Sequence, residues 1–221
     1  MEYRTKIIDI KVVTADVKRF RLEKPEGYAF IPGQATDVSI NQEKWRGEMR
    51  PFTFTCLNED PYLEFTIKRY PDRHGVTDAL HQLNPGDELI VRDVWGAISY
   101  KGAGYFIAGG AGITPFLAIL RRLYKDKQLA DNQLFFSNKT AADVIVEPEL
   151  KTMLGQNAHF VLTREEKPGY LKGPINKTFL QQQSIDFKKH FYVCGPDPMV
   201  AAITNILSSL GASTDSVVFE K

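Results

Sequence analysis

Tyr105-Phe106-Ile107-Ala108-Gly109-Gly110-Ala111-Gly112-Ile113-Thr114-Pro115 reads as a short apolar strand, a glycine-rich turn and the start of a helix. Phe116, Ile119, Leu120 and Leu123 then recur on one helical face. Thr114 suits the N-cap and Pro115 the first turn. Glycines let backbone approach a phosphate closely, and a helix N-terminus adds unpaired N–H groups and a positive dipole end. The strand–turn–helix context therefore points to a nucleotide. The stretch departs from the common dinucleotide fingerprint in two ways. Pro115 stands where the third glycine is expected, and the second strand of the sheet ends in Ser137-Asn138-Lys139 rather than in an acidic residue. This predicts a dinucleotide site of another kind, or one that prefers a phosphorylated ribose.

Downstream, strand and helix alternate. Strands are expected at 133–137, 158–162, 191–194 and 216–219. Helices are expected near 146–154 and 175–182, and a last one carries Met199, Ile203, Ile206, Leu207 and Leu210 on one stripe. Such alternation implies a parallel sheet covered on both faces. Tyr192-Val193-Cys194-Gly195-Pro196-Asp197-Pro198-Met199 ends one of these strands, which places Cys194 where ligands sit in such folds. A small buried residue accounts for Cys194 equally well.

Upstream, the period changes. Short β-rich runs occur at 6–13, 17–22, 35–40, 51–56, 62–67 and 88–92, separated by turn signals such as Ile31-Pro32-Gly33 and Asn84-Pro85-Gly86-Asp87. Six strands punctuated in this way suggest a small antiparallel barrel, interrupted by one helix near 77–83. The expected fold is an N-terminal antiparallel β-barrel domain, residues 1–100, followed by an α/β parallel-sheet nucleotide-binding domain, residues 101–221.

The composition narrows the functional class. The 221 residues are 43% apolar and 25% charged, as in ordinary globular proteins. With 28 Lys and Arg against 27 Asp and Glu the net charge is +1, which disfavours a nucleic-acid binder. No apolar run reaches the roughly 18 residues of a membrane span, and no metal site is indicated. The N-terminus lacks an apolar signal core. Cys56 and Cys194 are the only cysteines, too few for a four-Cys iron–sulfur cluster. A cytoplasmic protein with reduced thiols is expected.

Four motifs occur in a fixed order: Arg50-Pro51-Phe52-Thr53, Gly75-Val76-Thr77, Gly110-Ala111-Gly112-Ile113-Thr114-Pro115 and Cys194-Gly195-Pro196-Asp197-Pro198-Met199. Together they resemble the ferredoxin–NADP reductase family, in particular its compact flavodoxin reductase-like members, over nearly the whole chain. The first resembles the family's Arg-x-Tyr-Ser flavin motif, with Phe for Tyr and Thr for Ser. That exchange keeps the ring and the strand hydroxyl. The second resembles its flavin-phosphate segment, the third its nicotinamide-dinucleotide turn and the fourth its Cys-Gly-Pro motif.

The resemblance implies a role for each residue. Arg50 would neutralise the FAD pyrophosphate, Phe52 would pack on the isoalloxazine, and Thr53 would offer its hydroxyl to the flavin edge. Ile67 belongs to the same flavin wall. Val76 and Thr77 would give N–H groups to the phosphates. Cys194 would lie near the nicotinamide, and Phe219 is the candidate C-terminal aromatic shielding the flavin. Lys139, together with Thr163 and Arg164, resembles the basic element placed on a 2′-phosphate, and Tyr170 would stack on adenine. These favour NADPH, with NADH open. The implied function is an oxidoreductase passing a hydride from NAD(P)H to FAD and then electrons to a flavodoxin, ferredoxin or other redox protein. A reductase of free flavin, iron or quinone, and a non-catalytic flavin or nucleotide sensor, stay open as alternatives.

Overall fold

The structure is a computed structural model and describes residues 1–96, 98–213 and 217–219. Its first half holds six antiparallel strands: β1 (Glu2–Thr14), β2 (Val17–Glu23), β3 (Gln34–Ile40), β4 (Arg50–Thr53), β5 (Tyr62–Lys68) and β6 (Glu88–Gly96). They lie in the order β4-β3-β6-β1-β2-β5. β1 serves two partners, pairing with β6 through its first residues and with β2 from Ile7 onward, with a register shift between Ile7 and Asp9. The sheet ends meet just past β4, where the Thr55 N–H donates to the Glu64 carbonyl at 2.8 Å. The sheet therefore curls into a barrel.

Phe20, Leu22, Phe54, Phe65 and Val91 fill the barrel and are fully buried. Each such side chain contributes about 1.5–3 kcal/mol by leaving water. Phe30 stacks on Phe54 with ring centroids 4.1 Å apart. A short helix, α1 (Val76–Leu80), packs on this core through Val76 and Leu80. It starts one residue before the expected helix and ends three before it, because the chain turns ahead of Asn84-Pro85. β1 and β6 outrun the apolar stretches that marked them, since exposed Glu2, Arg4 and Lys6 continue the strand on its solvent face.

The second half holds β7 (Gly104–Gly109), α2 (Thr114–Lys125), β8 (Gln133–Asn138), α3 (Glu147–Leu154), β9 (Ala158–Leu162), β10 (Leu171–Lys172), α4 (Lys177–Gln182), β11 (His190–Cys194), α5 (Asp197–Ser209) and β12 (Val217–Phe219). The strands are parallel, in the order β10-β9-β8-β7-β11-β12. All six residues of the central β7 are buried. Phe106 and Ala108 join one core with Phe116 and Leu120 of α2, while Tyr105 and Ile107 join another with Ile203 and Leu207 of α5. This two-sided burial is why the strand reads as an unbroken apolar run. β10, two residues long, carries too little periodicity to be read in advance.

The halves are joined closely: Val17 and Ile98 of the first share a buried core with Phe116 and Leu120 of α2. Within the first half the Ile98 N–H donates to the Gly33 carbonyl at 3.1 Å. A Cβ on Gly33, whose φ is +92°, would stand 1.9 Å from the Ile98 carbonyl oxygen, so only glycine fits. Among the described residues no helix is long and apolar enough to cross a membrane. Ser216, expected to open the last strand, lies outside the described residues.

Candidate functional site

A cleft of about 760 Å³ runs between the two halves at the carboxyl ends of β7, β8 and β11. Its α/β wall is largely backbone. β7 ends at Gly109, and a tight 3-10 turn, Gly110–Ile113, leads straight into α2. Gly110 takes a φ of +51°. A Cβ on Gly112 would stand 2.3 Å from the Cys194 carbonyl oxygen, and one on Gly109 2.4 Å from the Met199 sulfur. The glycine turn and the Cys194-Gly195-Pro196 turn thus lie against each other at van der Waals contact. The 3-10 turn also moves the helix boundary. Ile113 occupies the N-cap, and Thr114 is the first helical residue, its hydroxyl donating to the Ala111 carbonyl at 3.0 Å. Pro115 sits in the first turn as expected.

Cys194 is buried at the end of β11 and lines the cleft with Gly195, Pro196 and Met199. Across the cleft mouth, Thr53 at the end of β4 donates its hydroxyl to the Thr114 hydroxyl at 3.2 Å. The structure therefore brings the last residue of the first motif onto the third motif, and the third onto the fourth.

The barrel side of the flavin motifs is more open. Arg50 and Pro51 are exposed, and among the described residues the Arg50 guanidinium touches only its neighbours, the Met49 carbonyl at 2.6 Å and the Glu48 carboxylate at 3.7 Å. Phe52 is half-buried beside Phe65, ring centroids 6.3 Å apart. Ile67 is buried, and its carbonyl accepts from His81 Nε2 at 2.9 Å. Gly75 is the extended residue before α1, and Val76 and Thr77 form its first turn, whose N–H groups have no intrahelical acceptor.

Asn138 supports a hydroxyl-rich ligand in the cleft. It ends β8, lines the cleft and is only 6% exposed, yet neither amide atom has a hydrogen-bond partner. Buried amides are ordinarily satisfied, so this one suits a ligand that both donates and accepts. A dinucleotide has such groups, and a glycine turn at a helix start leaves backbone N–H groups open to an anion. Lys139 and Thr163 also line the cleft. The Thr163 hydroxyl donates to the Asn138 carbonyl at 3.2 Å.

Two expected residues lie elsewhere. Arg164 is exposed and its N–H donates to the Lys139 carbonyl at 2.9 Å, outside the cleft lining. Tyr170 donates its hydroxyl to Glu147 at 2.6 Å, and burial together with that carboxylate pushes its phenol up to about 12. Its ring is flanked by Lys151 and Lys167, each 5.5 Å from the centroid, and it too lies outside the cleft lining. Phe219 stands in register with Val193 on β12, and its side chain lies outside the described residues.

The cleft has a second wall that the motifs did not show. Asp16, Lys68, Tyr70 and Arg73 line it from the barrel. Lys68 pairs with Asp16 at 2.8 Å. Burial works against charge on Asp16, but Lys68 and the Thr14 hydroxyl outweigh it and hold the carboxyl below its ordinary range. Lys68, Tyr70 and Arg73 follow closely on Ile67, so a basic cluster beside a residue expected to face the flavin was the available signal. Nothing in the sequence marks Asp16.

The comparisons with known proteins match this geometry. Residues 4–100 match the oxidoreductase FAD-binding domain and residues 106–205 the oxidoreductase NAD-binding domain. The chain belongs to the ferredoxin reductase-like family. Among proteins similar to this family member is the reductase component of propane 2-monooxygenase from Rhodococcus jostii. It is 24% identical over 237 residues, covering 100% of this chain and 63% of that protein. NADH-cytochrome b5 reductase 2 of Mycosarcoma maydis is 25% identical over 244 residues, covering 95% of this chain and 69% of that protein. The chain thus spans about two thirds of the length of these relatives. Among solved structures, the flavohem-like FAD/NAD-binding domain of a Vibrio cholerae nitric oxide dioxygenase superposes with a TM-score of 0.88. It has 21% identity and covers 98% of this chain and 97% of that one. A Neisseria gonorrhoeae ferredoxin NADP+ reductase with bound FAD and NADP gives a TM-score of 0.84 at 20% identity, covering 99% and 98%. Both have the same fold.

Proposed function

We propose that this chain oxidises NADPH on a bound FAD and passes the electrons to a separate flavodoxin, ferredoxin or other redox protein. The observation that carries the reading is the junction of Thr53, Thr114 and Cys194. The end of the flavin strand meets the first residue of α2, 3.2 Å from hydroxyl to hydroxyl, and the turn before that helix rests on the Cys194 backbone. When bound, the dinucleotide supplies a hydride, and FAD accepts it and releases electrons to a partner.

In this reading residues 1–100 hold the flavin and 101–221 the dinucleotide. Arg50 swings from its chain neighbours to the flavin pyrophosphate, Val76 and Thr77 offer first-turn N–H groups, and Phe52 and Ile67 pack the ring system. Thr53 holds a hydroxyl at the reacting edge. Gly110, Gly112, Ile113, Thr114 and Pro115 form the phosphate cradle. Cys194, Gly195, Pro196 and Met199 floor the nicotinamide end, with Phe219 on the neighbouring strand. Lys139, Thr163 and Arg164 favour the 2′-phosphate, hence NADPH over NADH, because a cationic site selects the extra anion. Tyr170 would have to turn from Glu147 to reach adenine. A cytoplasmic setting with reduced thiols suits this role.

The test is the visible spectrum of the purified, FAD-loaded protein, followed anaerobically as NADPH or NADH is added to separate samples. Rapid bleaching of the flavin bands, faster with NADPH, is expected. A protein that takes up no FAD would overturn the reading. Salt-sensitive turnover with a flavodoxin or ferredoxin is expected for a protein acceptor; salt-independent turnover with free flavin alone would replace the acceptor part of it.

A further inference from the structure

We propose that Arg121 and Glu64 are a positioning pair that sets how the dinucleotide half faces the flavin half. This inference rests on the hydride-transfer reading above. Glu64 on β5 is only 1% exposed and carries a carboxylate amid three guanidiniums. Arg21 lies at 2.9 Å, Arg121 at 2.8 Å and Arg19 at 3.5 Å. Arg19 and Arg21 belong to the barrel, whereas Arg121 comes from α2 across the domain boundary. Its guanidinium grips both sides. Nη1 donates to Glu64 and to the Thr55 carbonyl, while Nε and Nη2 hold the Glu149 carboxylate of α3 at 2.6 and 2.9 Å.

The spacing gives the pair its function. Arg121 follows Thr114 by seven residues, which puts both on one face of α2, about 10.5 Å apart along its axis. Thr55 follows Thr53 by two residues, just past the end of β4. The helix therefore meets one segment twice, Thr114 on Thr53 and Arg121 on Thr55 and Glu64. One contact would leave the helix free to pivot. The second contact fixes its orientation and, with it, the glycine turn at its N-terminus, and the more exposed pairs of Arg122 and Lys125 with Glu59 add to it further along the helix. The Thr53–Thr114 bond is a single neutral hydrogen bond, whereas the second contact is a buried, multiply bonded ion pair, so the latter dominates. Thr55 reinforces it, donating its hydroxyl to Glu64 Oε1 at 3.0 Å. Burial opposes charge on Glu64, but the attraction of Arg121 and the neighbouring arginines outweighs it and keeps the carboxylate ionised.

The test uses Arg121→Met, Arg121→Lys and Glu64→Gln in the FAD-loaded full chain, with three readouts. The first is the rate of flavin reduction at saturating dinucleotide, with the primary deuterium isotope effect from C4-deuterated dinucleotide. The second is the dissociation constant of the dinucleotide. The third needs no turnover: the distance distribution between spin labels at exposed Lys6 and Gln156, one in each half. Arg121→Met is expected to slow reduction 10- to 100-fold while the dissociation constant moves less than threefold, and to broaden the distance distribution. Arg121→Lys should recover part of both. Should Arg121→Met fail to fold, Glu64→Gln carries the test, with at least a fivefold slower reduction and a broader distribution. Wild-type reduction rates and an unchanged distribution in a folded variant would overturn the pair's role. A wild-type protein that is never reduced by dinucleotide would instead remove the functional reading, and the distance measurement would still judge the clamp.

Discussion

The two walls of the cleft are built by different means. On the α/β side the floor is largely backbone, and two turns interlock so tightly that a Cβ on Gly112 would stand 2.3 Å from a carbonyl oxygen. On the barrel side the surface is side chains, Asp16, Lys68, Tyr70 and Arg73, brought from two separate stretches of chain. The first wall is tightly packed and leaves no room for an added atom at Gly109 or Gly112. The second is adjustable, because the long side chains of Lys68, Tyr70 and Arg73 can regroup around a ligand, the last two from exposed positions. The close fit comes from one wall, while charge comes from the other together with Lys139.

The largest effect is expected where the rigid wall is overfilled. Gly112→Ala forces two backbones apart and is expected to cost about 3 kcal/mol and to abolish measurable dinucleotide binding. Gly110→Ala is its control, since nothing lies within 4 Å of a Cβ there. With a φ of +51° it should cost about 1 kcal/mol of backbone strain. Thermal unfolding and calorimetric titration compare the two, and equal losses would refute the interlocked-turn account.

The barrel wall should respond differently. Arg73→Ala is expected to weaken dinucleotide binding roughly tenfold by loss of a charged contact, with little change in melting temperature. The loss should shrink at high salt. Tight binding by the variant at low salt would assign charge recognition to the α/β side alone. Asn138→Leu should separate stability from binding. Removing an orphaned buried amide is expected to raise the melting temperature by a few degrees, while affinity falls about tenfold. A fall in both would mean that the amide has a partner in the protein.

The smallest effect concerns pH. His81 stands behind the barrel wall, its Nε2–H bonded to the Ile67 carbonyl, while its own carbonyl accepts from Lys18. Burial first, then Lys18 and Arg69, hold its imidazole below the ordinary value of about 6.5. The folded state thus binds the proton less readily than the unfolded chain. The stability from this difference is complete above about pH 6.5 and is lost as pH falls through the depressed folded value. Denaturant unfolding between pH 7.5 and 5 is expected to show this slope, and His81→Gln to reduce it, leaving the part contributed by His159, which burial also depresses. A slope unchanged by the substitution would place the titration elsewhere.

Much of the architecture was legible from local patterns. The apolar run at 105–108 and the glycines after it named the strand, turn and helix, because two-sided burial and phosphate-sized turns leave their mark on adjacent residues. The shift from short punctuated strands to alternating strand and helix marked two kinds of sheet. Errors of extent arose where tertiary pairing overrode pattern. β1 runs on through Glu2 and Arg4 because β6 lies beside it, and Thr114 yields the N-cap to Ile113 because a 3-10 turn feeds the helix. Arg164 and Tyr170 resembled the dinucleotide-binding residues they follow in order, yet neither lines the cleft and the Tyr170 hydroxyl is bonded to Glu147.

What the sequence by itself determined is the succession of elements and the glycine, threonine and cysteine positions of the α/β wall, since those depend on residues close together in the chain. Only the tertiary structure decided which barrel residues face that wall, that Asn138 is buried without a partner, and that Arg121 reaches Glu64 across 57 positions of chain. Long-range contacts of this kind are set by how two domains come to lie against each other, and no local pattern of residue types encodes that orientation.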